Sequence, residues 1–390
     1  MSASSRKADH VPGPVPAVRA AVGAVEEPTL HRSLAELGMI QGVAVDGGAA
    51  SIVVAEPLPD HGQWSEVVRR VEAAAGSVEG ITRVEVDLRE MTEDEKVAAA
   101  RVLKGEPPAD PLSVVDASAA ERPVPRTNPF TDAGTRVLAI SSGKGGVGKS
   151  SVTTNLSIAL AQRGRDVAAV DADVWGFSMP RMLGVDHPPG LVDDVIVPPE
   201  VHGVRLISMG FFARDDQAVI WRGPMLHKAL EQFLTDVHWG EPDYLIVDMP
   251  PGTGDVALSV SEFLPRAEVI IVTTPQPAAQ RVAQRSAAMA ERVHLPVIGV
   301  IENMSWFRGD DGKAYEIFGR GGGQALADEL GVPLLGQVPL VSELRAGGDE
   351  GRPIVVTDPD DEAARAFAAI SERVDELGPK QIRHPELTIR

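Results

Sequence analysis

The sequence predicts an α/β protein, a mostly parallel sheet with helices on both faces, preceded by a small α+β domain. Three observations predict it. Short apolar runs at Val137 to Ser141, Val167 to Val170, Tyr244 to Val247, Val269 to Val272, Val297 to Ile301 and Leu334 to Val338 alternate with helical patterns. Continuous apolar strands of this kind belong to parallel sheets buried on both faces, with ligands at the carboxyl ends of the strands. The first run feeds a glycine-rich loop from which a helix leaves, and upstream of it weaker helix and strand patterns stop at a proline-rich stretch.

A chain of 390 residues exceeds one ordinary domain. Residues 17–104 read as the small domain: a helix near Val18 to Val25, a short one near Leu30 to Leu37, strands Met39 to Val45 and Ala50 to Glu56, a helix Trp64 to Ala75 and a strand Ile81 to Leu88. The helix Thr92 to Leu103 opens on a Thr92-x-x-Glu95 capping box. Residues 105–134, with Pro107, Pro108, Pro111, Pro123, Pro125 and Pro129, read as a linker. Residues 135–378 carry the larger domain, and 379–390 a loose tail.

The stretch Gly143-Lys144-Gly145-Gly146-Val147-Gly148-Lys149-Ser150 fits G-x-x-x-x-G-K-[ST]. Context supports it: the strand enters, and Ser151 to Arg163 reads as a helix stopped by Gly164. The glycines let backbone N–H groups curl around phosphates at the positive end of that helix. Lys149 is placed for the β/γ oxygens and the Ser150 hydroxyl for Mg²⁺. Lys144 is one lysine more than the loop needs; on local grounds it is a solvated surface residue.

Two acidic clusters follow strands, Asp171-Ala172-Asp173 and Asp248-Met249-Pro250-Pro251-Gly252-Thr253-Gly254-Asp255. A carboxylate at a strand end beside a phosphate loop can hold a metal-bound water or orient an attacking one, while a single such Asp can equally cap a helix. Capping is the simpler reading for Asp255. The Pro250 to Gly254 segment reads as a switch loop. Asn303 offers an amide donor and acceptor to a base edge, or forms a turn.

The loop Lys144 to Ser150 resembles the deviant Walker A ATPases: the MinD and ParA proteins, the nitrogenase iron protein and the Mrp-type iron–sulfur carriers. The segments S-G-K-G-G-V-G-K-S, D-A-D-V-W-G-F-S-M-P-R-M-L-G, V-I-W-R-G-P-M-L-H-K-A-L-E-Q-F-L, D-Y-L-I-V-D-M-P-P-G-T-G-D, T-T-P-Q, I-E-N-M-S and I-F-G-R-G-G-G span most of residues 136–350. Together they resemble the Mrp (ApbC) iron–sulfur cluster carriers, P-loop NTPases. Residues 17–104, in element order and in Glu36-Leu37-Gly38-Met39, are similar to the MIP18-like domain often fused ahead of them. The resemblance implies an ATP-hydrolysing homodimer that uses ATP and Mg²⁺ and hands iron–sulfur clusters to client apoproteins. It implies a nucleotide loop from Gly143 to Ser151, with Lys149 on the phosphates and Lys144 reaching the partner's phosphates. It gives Asp248 the Walker B role, Asp173 the attacking water, Asp171 support near Mg²⁺, Asn303 adenine recognition, and Pro339 the start of a loop over the same ring.

The family builds its cluster on a C-x-x-C pair between E-N-M-S and I-F-G. Here the interval is Trp306 to Tyr315, and the whole chain has no cysteine. The place of the small domain's frequent cysteine is taken by Glu56-Pro57-Leu58-Pro59-Asp60. Clusters rest on thiolates, with histidine the usual substitute, and Asp310, Asp311 and Gly312 read as a hairpin turn. Two functions stay open: a cluster carrier that borrows ligands from a partner or small thiol, and a nucleotide-gated switch or scaffold without a cluster.

A formal charge of −19 argues against nucleic-acid or anionic-membrane partners. Without an apolar run of membrane-spanning length, the expected location is the cytoplasm. The last helix, Glu362 to Leu377, is acidic on its polar face, unlike the basic membrane helix of MinD proteins. Leu226, Leu230, Phe233 and Leu234 form a core stripe on the helix Met225 to Val237, and Trp221 and Arg222 are the natural anchors should that helix meet a partner. His227 and His238 read as packing or surface residues.

Overall fold

The structure, a computed structural model, describes residues 14–58, 64–106, 128–131, 134–174, 176–212, 223–252 and 254–379. The chain forms two compact units: Met1–Arg122 with Gly190–Val197, and Pro123–Pro189 with Pro198–Arg390. Most of the expected linker, the tail beyond residue 379, Pro59, Asp60, Trp221, Arg222 and Thr253 lie outside the described residues.

In the smaller unit, strand Ile40–Asp46 turns back on Ala49–Glu56, and both Gly47 and Gly48 have positive φ, as a tight hairpin demands. Ala49–Glu56 runs parallel to Arg83–Glu90, and helix Trp64–Gly76 makes the crossover between them. Helix Pro14–Gly23 adds Val18 and Val22 to a core with Leu30, Met39, Ile52, Val67 and Ala100. The helix expected at Leu30 to Leu37 is not formed. The Glu27 carboxylate accepts hydrogen bonds from the Thr29 and Leu30 amides at 2.8 and 2.5 Å, and Leu34 N–H goes to Val25 O, so these amides leave the helical pattern. A short ladder, Glu26 with Ser33 and Glu27 with Arg32, takes its place.

The sequence reading also missed a hairpin, Gly190–Val192 with Val195–Val197, whose Val192, Val195 and Val197 are buried in this same core. Lys104 pairs with Asp194 at 2.6 Å.

The larger unit is built on a nine-stranded sheet. From one edge it runs Glu200–Val201, Val204–Ser208, Val167–Asp171, Tyr244–Asp248, Arg136–Ser142, Glu268–Thr273, Val297–Arg308 and Ala314–Tyr315, with Leu334–Leu340 also paired to Val297–Arg308. All six expected strands are present, and with Val204–Ser208 they run parallel, while the short edge pieces are antiparallel. Val204–Ser208 escaped the sequence reading because Arg205 interrupts its apolar run; that guanidinium is buried and paired with Asp166.

Helix Lys149–Gln162 is buried from Val152 through Leu160 because it is enclosed between the sheet and helix Glu362–Leu377. Its sequence therefore shows no polar face. Helix Gly223–Thr235 buries Leu230, Phe233 and Leu234 of the stripe expected there, while Leu226 is only half-buried. The Trp239 indole donates to Phe233 O at 2.8 Å.

The Thr92 cap is complete. Its hydroxyl accepts from Glu95 N, the Glu95 carboxylate accepts from Thr92 N at 2.9 Å, and Arg89 grips the same carboxylate at 2.6 and 2.7 Å. Arg89, then the Thr92 amide, hold the Glu95 pKa down from 4.5 to about 2. Thr92→Ala is predicted to cost about 1 kcal/mol in a denaturant titration. The share due to Glu95 is fully present above pH 4.5 and lost as pH falls toward 2, so Glu95→Gln is predicted to flatten the acid limb of the stability curve.

Candidate nucleotide site

The glycine-rich loop lies at the carboxyl end of Arg136–Ser142, the strand between Tyr244–Asp248 and Glu268–Thr273. Gly146 and Gly148 have φ of 79° and 80°, the left-handed region that glycine enters without steric cost. Each tight spot has a named neighbour. A Cβ on Gly143 would lie 2.3 Å from the Val282 backbone, and one on Gly148 would lie 2.2 Å from Asn303 Nδ2. Gly145 and Gly146 face solvent and Val147 is buried, so the loop is open above and tightly seated below.

Beneath it sits Asp248, fully buried at its strand end. Its Oδ2 accepts from Lys149 Nζ at 2.5 Å and from Ser150 Oγ at 2.6 Å, and its Oδ1 accepts from Thr153 Oγ1 at 2.5 Å. Asp173 Oδ2 stands 3.6 Å from the same ammonium. Asp171 accepts from Asp173 N, Ser178 N, Met179 N and Ser208 Oγ at 3.0 to 3.2 Å. These bonds tie Asp171 to the start of helix Met179–Leu183 and to Ser208, without making it that helix's cap residue, which is Ser178. Burial, then the neighbouring Asp248, push the Asp171 pKa up to about 7 against the pull of Lys149, and burial also raises Asp173.

Two carboxylates, Asp248 and Asp173, thus face one ammonium, and the hydroxyls of Ser150 and Thr153 add oxygen donors. An oxygen-only, negatively charged donor set fits Mg²⁺, a hard cation. Thr153 was not singled out from the sequence; it stands one helical turn after Lys149, whose carbonyl also accepts its hydroxyl.

The Lys144 amine points elsewhere, donating to Gln276 Oε1 at 3.3 Å at the start of helix Pro277–Arg292. Among the described residues Lys144 makes no ion pair. Asn303 Nδ2 donates to Val147 O at 2.9 Å, while its Oδ1 is buried without a partner. Asn303 pairs in register with Val338, which puts Pro339 next along the neighbouring strand. The Gly252 amide bonds Ser142 O at 2.9 Å, so the Pro250 to Gly252 segment lies beside the loop's root. The helix after it has Gly254 at its cap position, with Asp255 as its first residue.

E-N-M-S and I-F-G-R-G-G-G meet directly: buried Glu302 accepts from Gly323 N at 2.5 Å and from Gln337 Nε2 at 2.6 Å. Between the two motifs the chain forms a hairpin, Phe307 opposite Tyr315 and Arg308 opposite Ala314. Asp311 closes its turn by accepting from Lys313 N at 3.0 Å and Tyr315 OH at 2.9 Å, with Gly312 at φ 75°. Arg308 and the Trp306 indole both bond Glu362. No group of three or more histidine, cysteine, aspartate or glutamate side chains able to hold a metal occurs among the described residues. His227 packs on Phe263 at 4.5 Å and bonds Ser259 Oγ, and His238 is buried.

A family model described as the NUBPL iron-transfer P-loop NTPase matches residues 134–375, and one described as an iron–sulfur cluster assembly protein matches residues 16–88. The chain belongs to the iron–sulfur cluster carrier family of P-loop NTPases. The iron–sulfur cluster carrier protein of Mycobacterium leprae is 41% identical over 363 residues, 91% of each chain. That of Synechocystis is 40% identical over 360 residues, 90% of this chain and 94% of the relative. Among solved structures, a nucleotide-binding protein of Archaeoglobus fulgidus in complex with ADP is 32% identical with a TM-score of 0.51, covering 60% of this chain and 91% of its own. The cell division ATPase MinD of Pyrococcus furiosus is 27% identical with a TM-score of 0.50, covering 62% of this chain and 99% of its own. The larger unit is thus a P-loop NTPase fold. No helix among the described residues is long and apolar enough to cross a membrane.

Gly148→Ala is predicted to weaken nucleotide binding at least about tenfold, since it adds both left-handed strain and a collision with Asn303. Titration with a fluorescent nucleotide checks this, with circular dichroism verifying the fold; unchanged affinity would contradict the role given to Gly148.

Proposed function

We propose that the protein is an ATP-hydrolysing, nucleotide-gated dimeric switch of the cluster-carrier family whose own side chains do not hold the cluster. The observation that carries the ATPase part is the split between the two loop lysines. Lys149 is locked onto Asp248 with Ser150 and Thr153, where incoming phosphates would meet it, whereas Lys144 in the same loop is turned to a neutral amide. A neutral partner holds an ammonium weakly, so Lys144 is free to serve phosphates bound by a second copy. Ser150, Asp248 and Asp171 would hold Mg²⁺, which supplies charge neutralisation at the phosphates. Asp173, beside Lys149, would orient the attacking water, and Asn303 and Pro339 would border the adenine. Closure of two copies and hydrolytic reopening then form the switching cycle.

The cluster part rests on chemistry. Asp310 is a hard oxygen donor, Asp311 is spent on its turn, and the hairpin offers no thiolate or imidazole. The residues present do not fit a cluster. Family membership favours a second reading, in which the cluster is cargo bound through thiolates of a client apoprotein or a small thiol.

Lys149→Ala is predicted to abolish nucleotide binding. Lys144→Ala is predicted to keep binding within about twofold and to lower ATP turnover by about 10³-fold or more, the scale of a lost trans cation. Phosphate release and nucleotide titration measure both; equal turnover by Lys144→Ala and the unsubstituted protein would remove the trans role.

A further inference from the structure

The chain between Asp171 and Ser208 does more than connect two neighbouring strands. It leaves the end of Val167–Asp171, forms helix Met179–Leu183, supplies the hairpin Gly190–Val197 to the smaller unit, and returns through Glu200–Val201 to Val204–Ser208. That last strand pairs with the one the excursion left, Val204 opposite Val167. Both roots end on a single oxygen. Asp171 Oδ2 accepts from Ser178 N and Met179 N, at the head of the outgoing helix, and from Ser208 Oγ, at the foot of the returning strand.

The limbs are stiff. Gly184 and Gly351 are in such close contact that a Cβ on Gly184 would lie 2.5 Å from Gly351 O, and Arg181 Nε donates to Asp349 O at 2.8 Å. Pro188-Pro189 precede the hairpin and Pro198-Pro199 follow it, with Leu206 N bonded to Pro199 O at 3.0 Å. Consecutive prolines favour extended chain with little slack. At the tip, Val192, Val195 and Val197 are buried among the side chains of the smaller unit.

We propose that this excursion is a lever carrying the nucleotide state of the phosphate loop to the N-terminal unit. The proposal rests on the nucleotide reading above. Phosphates that draw Lys149 off Asp248 change the charge beside Asp171, and Asp171 is the clasp of both roots. A shift at the clasp travels along stiff limbs to a hairpin that cannot leave its core without exposing three valines. The N-terminal unit thereby becomes a reporter of ATP against ADP, a regulated element and not merely an appended one.

Hydrogen exchange on the full chain, free, with Mg²⁺ and ADP, and with Mg²⁺ and a non-hydrolysable ATP analogue, tests this. The expected result is an exchange rate over Gly190–Val197 and Glu93–Leu103 that differs severalfold between the two nucleotides. In Pro188→Gly/Pro189→Gly, which slackens a limb away from the phosphate loop, nucleotide affinity stays as it was and that difference is lost. Protection confined to residues 143–151, with Gly190–Val197 and Glu93–Leu103 indifferent to nucleotide, would overturn the lever while leaving the nucleotide reading intact. So would a full response in the proline double variant. No protection over residues 143–151 either would remove the nucleotide reading, and the lever with it.

Discussion

A fully buried carboxylate, Asp248, is the point on which the larger unit's chemistry depends. An unpaired charge at such a depth is costly, so it fixes its surroundings: Lys149 supplies the counter-charge, and Ser150 and Thr153 fill the remaining lone pairs. The helix that follows the loop is thereby anchored to the strand Tyr244–Asp248, far along the chain. The same charge acts on Asp171, whose proton is held to about pH 7 by burial and by Asp248. Asp173 faces the same lysine, so the site carries more carboxylate than one ammonium balances, the condition in which a divalent cation is welcome.

Much of this was legible in the sequence because it is dictated locally. Strands buried on both faces are mostly apolar, and a loop that turns left-handed at Gly146 and Gly148 favours glycine there. The Thr92 to Glu95 cap is likewise a short-range device. What the sequence hid are elements decided at a distance. The strand Val204–Ser208 carries a buried Arg205 whose partner, Asp166, is remote in sequence. The segment Leu30 to Leu37 has helical spacing but gives its Leu30 amide to the Glu27 carboxylate and its Leu34 amide to Val25 O, and the hairpin Gly190–Val197 finds its core more than eighty residues upstream. At the site, spacing marked the glycine-rich loop between strand and helix but not the hold of Gln276 on Lys144 or of Asn303 on the Val147 carbonyl.

The hairpin between Phe307 and Tyr315 is held by side chains of its own. Its turn is closed by Asp311 and Gly312, its stem is tied to Glu362 by Arg308 and Trp306, and its strand continues from Asn303 against the phosphate loop. Glu302 joins that strand to the glycine-rich helix start at Gly323. One strand thus links the glycine-rich loop to the hairpin, and none of the 390 residues is a cysteine.

That contrast sets the decisive measurement: anaerobic reconstitution of the purified chain with iron and sulfide and no added thiol, followed by gel filtration, iron quantitation, a visible spectrum and an ATPase assay on the same sample. The account predicts ATP turnover with no retained iron and no cluster absorption. Stoichiometric iron with a cluster spectrum in the thiol-free sample would contradict it.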